Sequence, residues 1–559
     1  MKPNPSKSFR FQPGLIVATA SLGLFAVALG VRLRASSMMS SPPSAPMLSP
    51  QTDQMPMAGT GMMGASVTAM TPATQPPPGA GASAPVIVQL ANGATFNLTA
   101  SMVKKTLAGH EVSMLAYNGS IPGPTIKVPK GAEITIHFTN QTNIATTLHS
   151  HGVRLDNAFD GVPDVTQPIV GTGASFDYKI KFPDEGVYWY HPHVREDYAQ
   201  ALGLFGNYLV VPDRPDYWSP VNQEVPLMVS DILLTNGVVA SFGSVANHVL
   251  MGRFGNTMLA NGSDHYTLAV KQGEVVRFYF TNTANTRVFN LTIPGVKIKR
   301  VGGDNGRYER ETFVDSVLLS PSERAIVEVL FDTPGVFPLQ HKTPQKTYLM
   351  GNINVSADKA AVSYAAQFQQ LRANGDVTAG LAKFRPDFDK PAAKSLVLTV
   401  DMPGMDMSGM NMGTMMMGDR DKIEWEDSMA MMNQMATAKT VQWKITDRAT
   451  GKSGMDIDWK FKVGDRVKIK IFNDPASLHA MQHPIHFHGQ RFLVLTTNGV
   501  KTDNFVWKDT TLIQKGDTVE ILVDMENPGT WMAHCHIAEH LESGMMFNFR
   551  VNSAVFMHN

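Results

Sequence analysis

Four short histidine motifs, spread from residue 149 to residue 540, most constrain what this chain can fold into. They are His149-Ser150-His151-Gly152, His191-Pro192-His193, His483-Pro484-Ile485-His486-Phe487-His488-Gly489, and His534-Cys535-His536 followed by His540 and Met545. Together they hold ten of the seventeen histidines and the only cysteine. Random placement gives about 0.5 His-x-His pairs in a chain of this composition, and four are present. Side chains alternate along a strand with period two, so each pair presents both imidazoles on one face as two nitrogen ligands for one place. Scattered core or surface histidines do not give that spacing.

Alternation makes the last motif the most informative. If His534, Cys535 and His536 are extended, the thiolate points one way and both imidazoles the other, so one strand touches two metal centres and joins them covalently. His540 and Met545 lie five and ten residues after the cysteine. One further histidine completes two imidazoles, a thiolate and a thioether, a set that suits a blue-copper electron-transfer site. A structural zinc site is the competing reading, but such sites usually use several cysteines and this chain has one.

At this point the chain resembles the multicopper oxidases, the family of laccases, ascorbate oxidase and bacterial copper efflux oxidases. All four copper signatures occur in the family's order, and the resemblance covers residues 85–555. Tyr117-Asn118-Gly119-Ser120-Ile121-Pro122-Gly123-Pro124 and Tyr188-Trp189-Tyr190 support it. The resemblance implies four coppers. The type 1 ion takes His483, Cys535 and His540 with Met545 axial. The type 2 ion takes His149 and His486, and the type 3 pair takes His151, His191, His193, His488, His534 and His536. It further implies that electrons enter at Cys535, pass through His534 and His536, and reduce O2 to water. That reduction consumes protons, and Asp160, eleven residues after His149, matches the family's cluster-side acid. An Asx-type turn residue is the plainer reading of Asp160. The chain departs from several bacterial relatives in carrying Leu541, not Glu, directly after His540, with Glu539 and Glu542 nearby.

A net charge of +0 with no basic run argues against a nucleic-acid partner, and one cysteine excludes an internal disulfide. Lys2, Lys7 and Arg10 precede an apolar run over residues 14–31, closed by Arg32 and Arg34. As a helix that run spans about 27 Å, just short of the ~30 Å hydrocarbon core, so residues 1–35 read as a signal peptide or a membrane anchor. Either reading places the copper domains outside the cytoplasm, in a periplasmic or other extracytoplasmic space, with attachment to the inner membrane on the anchor reading.

Residues 36–84 are Ser-, Pro-, Gly- and Met-rich with almost no charge, and are expected to be disordered. That segment and the tract 402–435 hold twenty of the thirty-four methionines, including Met405, Met407, Met410 and Met412. Core methionines come with Leu, Ile, Val or Phe at regular spacing, which these tracts lack. Thioethers select Cu(I), so the tracts read as copper-handling. Residues 424–435 are expected to form a short Met-lined helix resembling the insert that covers the type 1 site in efflux oxidases. In those relatives an acid and a methionine ahead of the first type 1 histidine bind substrate copper. Met481 keeps the methionine position, and His479 replaces the acid.

The rest reads as short strands. Segments 133–138, 275–280, 467–472 and 519–523 are β-rich and follow Gly-based turns. Three of them run into Asn-containing turns at Asn140, Asn282 and Asn473, an internal repeat. The expected fold is all-β: three cupredoxin-like Greek-key β-sandwich domains over residues 85–215, 216–390 and 391–559, with a partly helical linker around 360–384. Copper motifs fall only in the first and third copies, so the cluster is expected between those two, with the middle copy as a spacer. The expected function is a multicopper oxidase that couples oxidation of Cu(I) to reduction of O2, in copper detoxification. A laccase oxidising phenols or aromatic amines is the alternative, and a non-catalytic copper-sequestering protein a third reading.

Overall fold

The computed structural model describes residues 79–403 and 421–553. The apolar run at 14–31, most of the first methionine tract, and Met405, Met407, Met410 and Met412 lie outside them. Among the described residues, no helix is long and apolar enough to cross a membrane.

Strands dominate, as the alternating segments require. In Glu133–Asn140, Ile134, Ile136 and Phe138 face the core while Glu133, Thr135 and His137 face outwards. The main sheets form three pairs, each closing on its own apolar core. The first pair uses strands between Ala80 and Val211, the second between Gln223 and Lys359, and the third between Lys394 and Asn552. The repeated asparagine explains the repeat. Asn140 Nδ2 donates to the carbonyls of Ile144 and Val170, Asn282 to Arg287 and Leu319, and Asn473 to Met481 and Ile513. Each buried amide thus pins the loop that enters the strand carrying His149, Phe289 or His483.

Register shows why the middle pair carries no copper motif. His341 pairs with Leu291 as Cys535 pairs with Ile485 in the third pair, so Phe289 stands where His483 does. Phe289 and His341 fill that space edge to face at 5.0 Å.

Two short helices, Ala365–Gln369 and Gly375–Leu381, follow the last strand of the second pair. The methionine helix is shorter than expected, Ala430–Met435, because Asp427 turns the chain by accepting from the Met429 N–H and from Asn433 Nδ2. The middle copy is also more than a spacer. Its Val249, Leu250, Met251 and Phe254 belong to the same core as Trp443, Met481, Cys535 and Met545 of the third. An open edge there would leave the third core's large side chains wet, and burial of apolar surface drives the contact.

Candidate metal centre

The cysteine closes strand Gly529–Cys535, beside strand His483–Phe487 and ahead of helix Ala538–Glu542. Cys535 Sγ lies 3.6 Å from His483 Nδ1 and 3.8 Å from His540 Nδ1, and those two nitrogens are 3.3 Å apart. Met545 is fully buried beside them, its carbonyl accepting the Cys535 N–H. Burial pushes the thiol well above its usual range, and pushes His483 down to about 3, with His479 adding to the effect. Neutral imidazoles crowding a buried thiol form a donor set that a soft cation satisfies, since coordination deprotonates the thiol and engages both lone pairs.

Trp443, on strand Gln442–Asp447, covers this site. Its ring stacks on His540 at 4.1 Å and 24°, meets His483 edge-on at 4.8 Å, and its N–H donates to the Val249 carbonyl at 2.7 Å. His483 and His540 are both 0% exposed. Met429 and Met432 pack, partly buried, against the core to which Trp443 belongs. Met481 is fully buried in the same core, and the ring of half-buried His479 lies 6.3 Å from that of Trp443, edge to face.

Eight histidines from the first and third sandwiches meet on the other face of the Cys535 strand. Pairing sets His149 against His191 and His486 against His534. His149, His486 and His488 bring donor atoms within 4.8 Å of one another, as do His149, His151 and His191, and His193, His488 and His534. His536 closes the remaining side, with its ring 5.0 Å from His151 and 5.1 Å from His191. The Nδ1–H groups of His149, His191, His486 and His534 donate to the carbonyls of Asp160, Pro192, Asp509 and Cys535 at 2.7–2.8 Å. This turns Nε2 inwards, and on His149, His191, His193 and His486 that atom is buried without a hydrogen-bond partner among the described residues. Burial, then mutual repulsion, holds His151, His193, His486 and His534 well below the usual imidazole range, so all are neutral donors. Unpartnered buried nitrogens are costly on their own and fit bound metal ions.

Asp160 sits against the cluster, Oδ2 2.9 Å from His488 Nδ1 and Oδ1 3.3 Å from His149 Nδ1. Burial alone would raise its carboxyl, but the two imidazoles hold it well below the usual carboxylate range. Leu541 packs on Val162 and Met532, so its own position supplies no acid. Glu196, unmarked by sequence reasoning, enters from the first sandwich instead. It is fully buried, 3.3 Å from His193 Nδ1, and pushed up by burial and by Glu542 and Asp197. Glu542 is pushed up to about 8 by burial and Asp197, and Glu539 to about 7 by burial. Glu539 accepts from Asn285 and Thr286 of the middle sandwich. Sequence reasoning also passed over Trp443, Arg324 and Asp509, which lie outside every histidine motif.

A buried thiolate site joined by one strand to a cluster of imidazoles, held between β-sandwiches, defines a redox metalloprotein. The sequence pattern of the multicopper oxidase family matches the chain over residues 99–215, 220–364 and 424–555. The multicopper oxidase mco of Staphylococcus aureus is 26% identical over 452 residues, covering 79% of this chain and 85% of its own. Copper resistance protein A of Escherichia coli is 23% identical over 84% of this chain and 94% of its own. Among solved structures, a Campylobacter jejuni multicopper oxidase described as a metallo-oxidase has a TM-score of 0.62 at 25% identity, over 85% of this chain and 96% of that one. The chain belongs to the multicopper oxidases. It is a copper-dependent oxidoreductase that passes electrons from a reduced substrate to O2.

Proposed function

We propose that the reductant is Cu(I) and that the protein is a cuprous oxidase of copper detoxification. The observation that carries this reading is the complete burial of His483 and His540 beneath Trp443 and the 246–254 segment. An organic substrate gains rate by touching an imidazole edge of the thiolate site, and here neither edge reaches solvent. A metal ion needs only ligands near the cover, and His479 and the exposed thioethers of Met431 and Met435 supply them. The names of the two relatives, a metallo-oxidase and a copper resistance protein, favour a metal reductant as well.

In this reading His483, Cys535, His540 and Met545 would hold the type 1 copper. His149 and His486 hold the type 2 ion, and His151, His191, His193, His488, His534 and His536 the type 3 pair. Copper at these sites supplies one-electron transfer at the thiolate and four-electron reduction of O2 to water at the cluster. The chain's own part is to connect and orient. Cys535 Sγ and the Cys535 carbonyl, which accepts from His534 Nδ1, lie in one residue, so the path from thiolate to cluster is covalent plus one hydrogen bond. Asp160 keeps the Nδ1 protons of His488 and His149 in place, the first with Oδ2 and the second with its main-chain carbonyl, and its carboxylate relays protons. The domain limits at 85–215, 216–390 and 391–559 and a location outside the cytoplasm, with residues 14–31 as signal or anchor, belong to the same reading.

Oxygen uptake by the copper-loaded protein tests it, with Cu(I) in a stabilising ligand and then with a dimethoxyphenol. Cu(I) should drive uptake and the phenol alone should be poor. Fast phenol turnover without added copper would make the protein a laccase.

A further inference from the structure

His151 is held the opposite way round from its neighbours. Its Nε2 lies 2.9 Å from Asp509 Oδ1 and 3.1 Å from Thr510 Oγ1, and its Nδ1, on the side of His149 and His191, has no hydrogen-bond partner among the described residues. The Asp509 carbonyl also accepts from His486 Nδ1, so one residue holds two cluster histidines. An unsupported carboxylate rotates, but Arg324 grips both oxygens, Nη1 to Oδ1 at 2.7 Å and Nη2 to Oδ2 at 2.5 Å. A guanidinium provides that two-pronged geometry and an ammonium does not.

Arg324 is fixed in turn. Its Nε donates to the Val187 carbonyl at 3.0 Å, Nη1 to the Ser322 carbonyl at 3.0 Å, and Nη2 to Asn305 Oδ1 at 3.3 Å. Val187 lies on Gly186–His191, the strand that ends in a cluster histidine, so the guanidinium touches all three sandwiches. Arg324, Asp509 and His151 are all 0–1% exposed. Gly152 shows how closely this group fits. A Cβ there would lie 2.3 Å from Asp509 Oδ2 and 2.9 Å from Arg324 Nη2, on a backbone with φ of +79°.

We propose that Arg324, from the sandwich that supplies no copper ligand, is a positioning residue for the copper cluster: through Asp509 it sets the tautomer and ring orientation of His151. This rests on the reading of His151 as a copper ligand. The competing account is a staple between sandwiches with no effect on the metal. Lysine separates the two, because it keeps the charge and a contact but cannot hold both carboxylate oxygens.

The experiment compares Arg324→Lys, Gly152→Ala and His151→Ala in copper-loaded full-length protein. It reads copper per chain, the EPR signal of the cluster, the thiolate-to-copper absorption band and the thermal midpoint. Arg324→Lys and Gly152→Ala should keep the thiolate band, bind cluster copper about 10–100-fold more weakly, and show an altered cluster signal when reloaded. Native copper content and cluster signal in Arg324→Lys, whatever its midpoint, overturn the proposal in favour of the staple. Should Gly152→Ala fail to fold, Arg324→Lys alone decides. A His151→Ala protein with a native cluster signal overturns the ligand reading, and the proposal with it. A His151→Ala protein that loses the signal while Arg324→Lys keeps it overturns the positioning role alone.

Discussion

Replacing Trp443 with phenylalanine tests the cover over the thiolate site. The indole is 1% exposed and stacks on His540 at 4.1 Å, and phenylalanine keeps a ring in that position. It loses the N–H, so the fully buried Val249 carbonyl loses its donor at 2.7 Å. Leaving a buried acceptor unpaired costs about 1–3 kcal/mol. The missing part of the indole leaves a gap of about methyl size or more, at about 1 kcal/mol. The variant should therefore unfold about 2–4 kcal/mol more easily, read in urea by loss of the thiolate-to-copper band. The gap opens beside His540, so kcat/KM for a dimethoxyphenol should rise while Cu(I) oxidation changes less. Trp443→Ala, which costs about 3–5 kcal/mol, should open the site further. Wild-type phenol kinetics in both variants, with the thiolate band intact, would refute the idea that Trp443 bars the substrate.

Asp160→Asn keeps the side chain's size and the main-chain carbonyl that accepts from His149, but removes the anionic acceptor for His488. Its kcat for O2 reduction should fall about 10²–10⁴-fold, with the thiolate band unchanged in absorption spectra. Cys535→Ser should abolish that band and the activity with every reductant, while copper analysis still finds metal in the cluster. His341 is held neutral, its pKa lowered to about 3 by burial and then Arg287, against an ordinary value of 6.5. The unfolded chain binds the proton more readily, so this stabilisation is full above pH 6.5 and is lost as pH falls towards 3. His341→Gln should flatten urea stability between those limits by about 1.4 kcal/mol per pH unit. Removing copper should lower the midpoint of thermal unfolding, since each ion binds only the folded donor set, at about 2.7 kcal/mol for a free concentration 100-fold above Kd.

The middle sandwich changes how the architecture is understood. It carries no copper motif, yet it covers the thiolate site through Val249 and Met251, anchors Glu539 through Asn285 and Thr286, and grips Asp509 through Arg324. The cluster lies between two sandwiches, but its surroundings are set by three.

By itself, the sequence determined that this chain is built of β-strands and gathers copper. The His-x-His pairs and the alternation at His534-Cys535-His536 are properties of one extended segment, so spacing alone carries them. Asn140, Asn282 and Asn473 were legible as a repeat for the same local reason, although their shared hydrogen bonds appear only in the folded chain. Asp160 came through resemblance, since an acid in a Gly-rich loop has nothing local to mark it. Glu196, Trp443, Arg324 and Asp509 were decided by tertiary structure alone. Arg324 and Asp509 are 185 residues apart and meet only where sandwiches pack, and nothing in an arginine's neighbours along the chain foretells a fully buried carboxylate partner. Alternation belongs to a single strand, whereas burial, pairing and access to the copper sites belong to the junction of all three sandwiches.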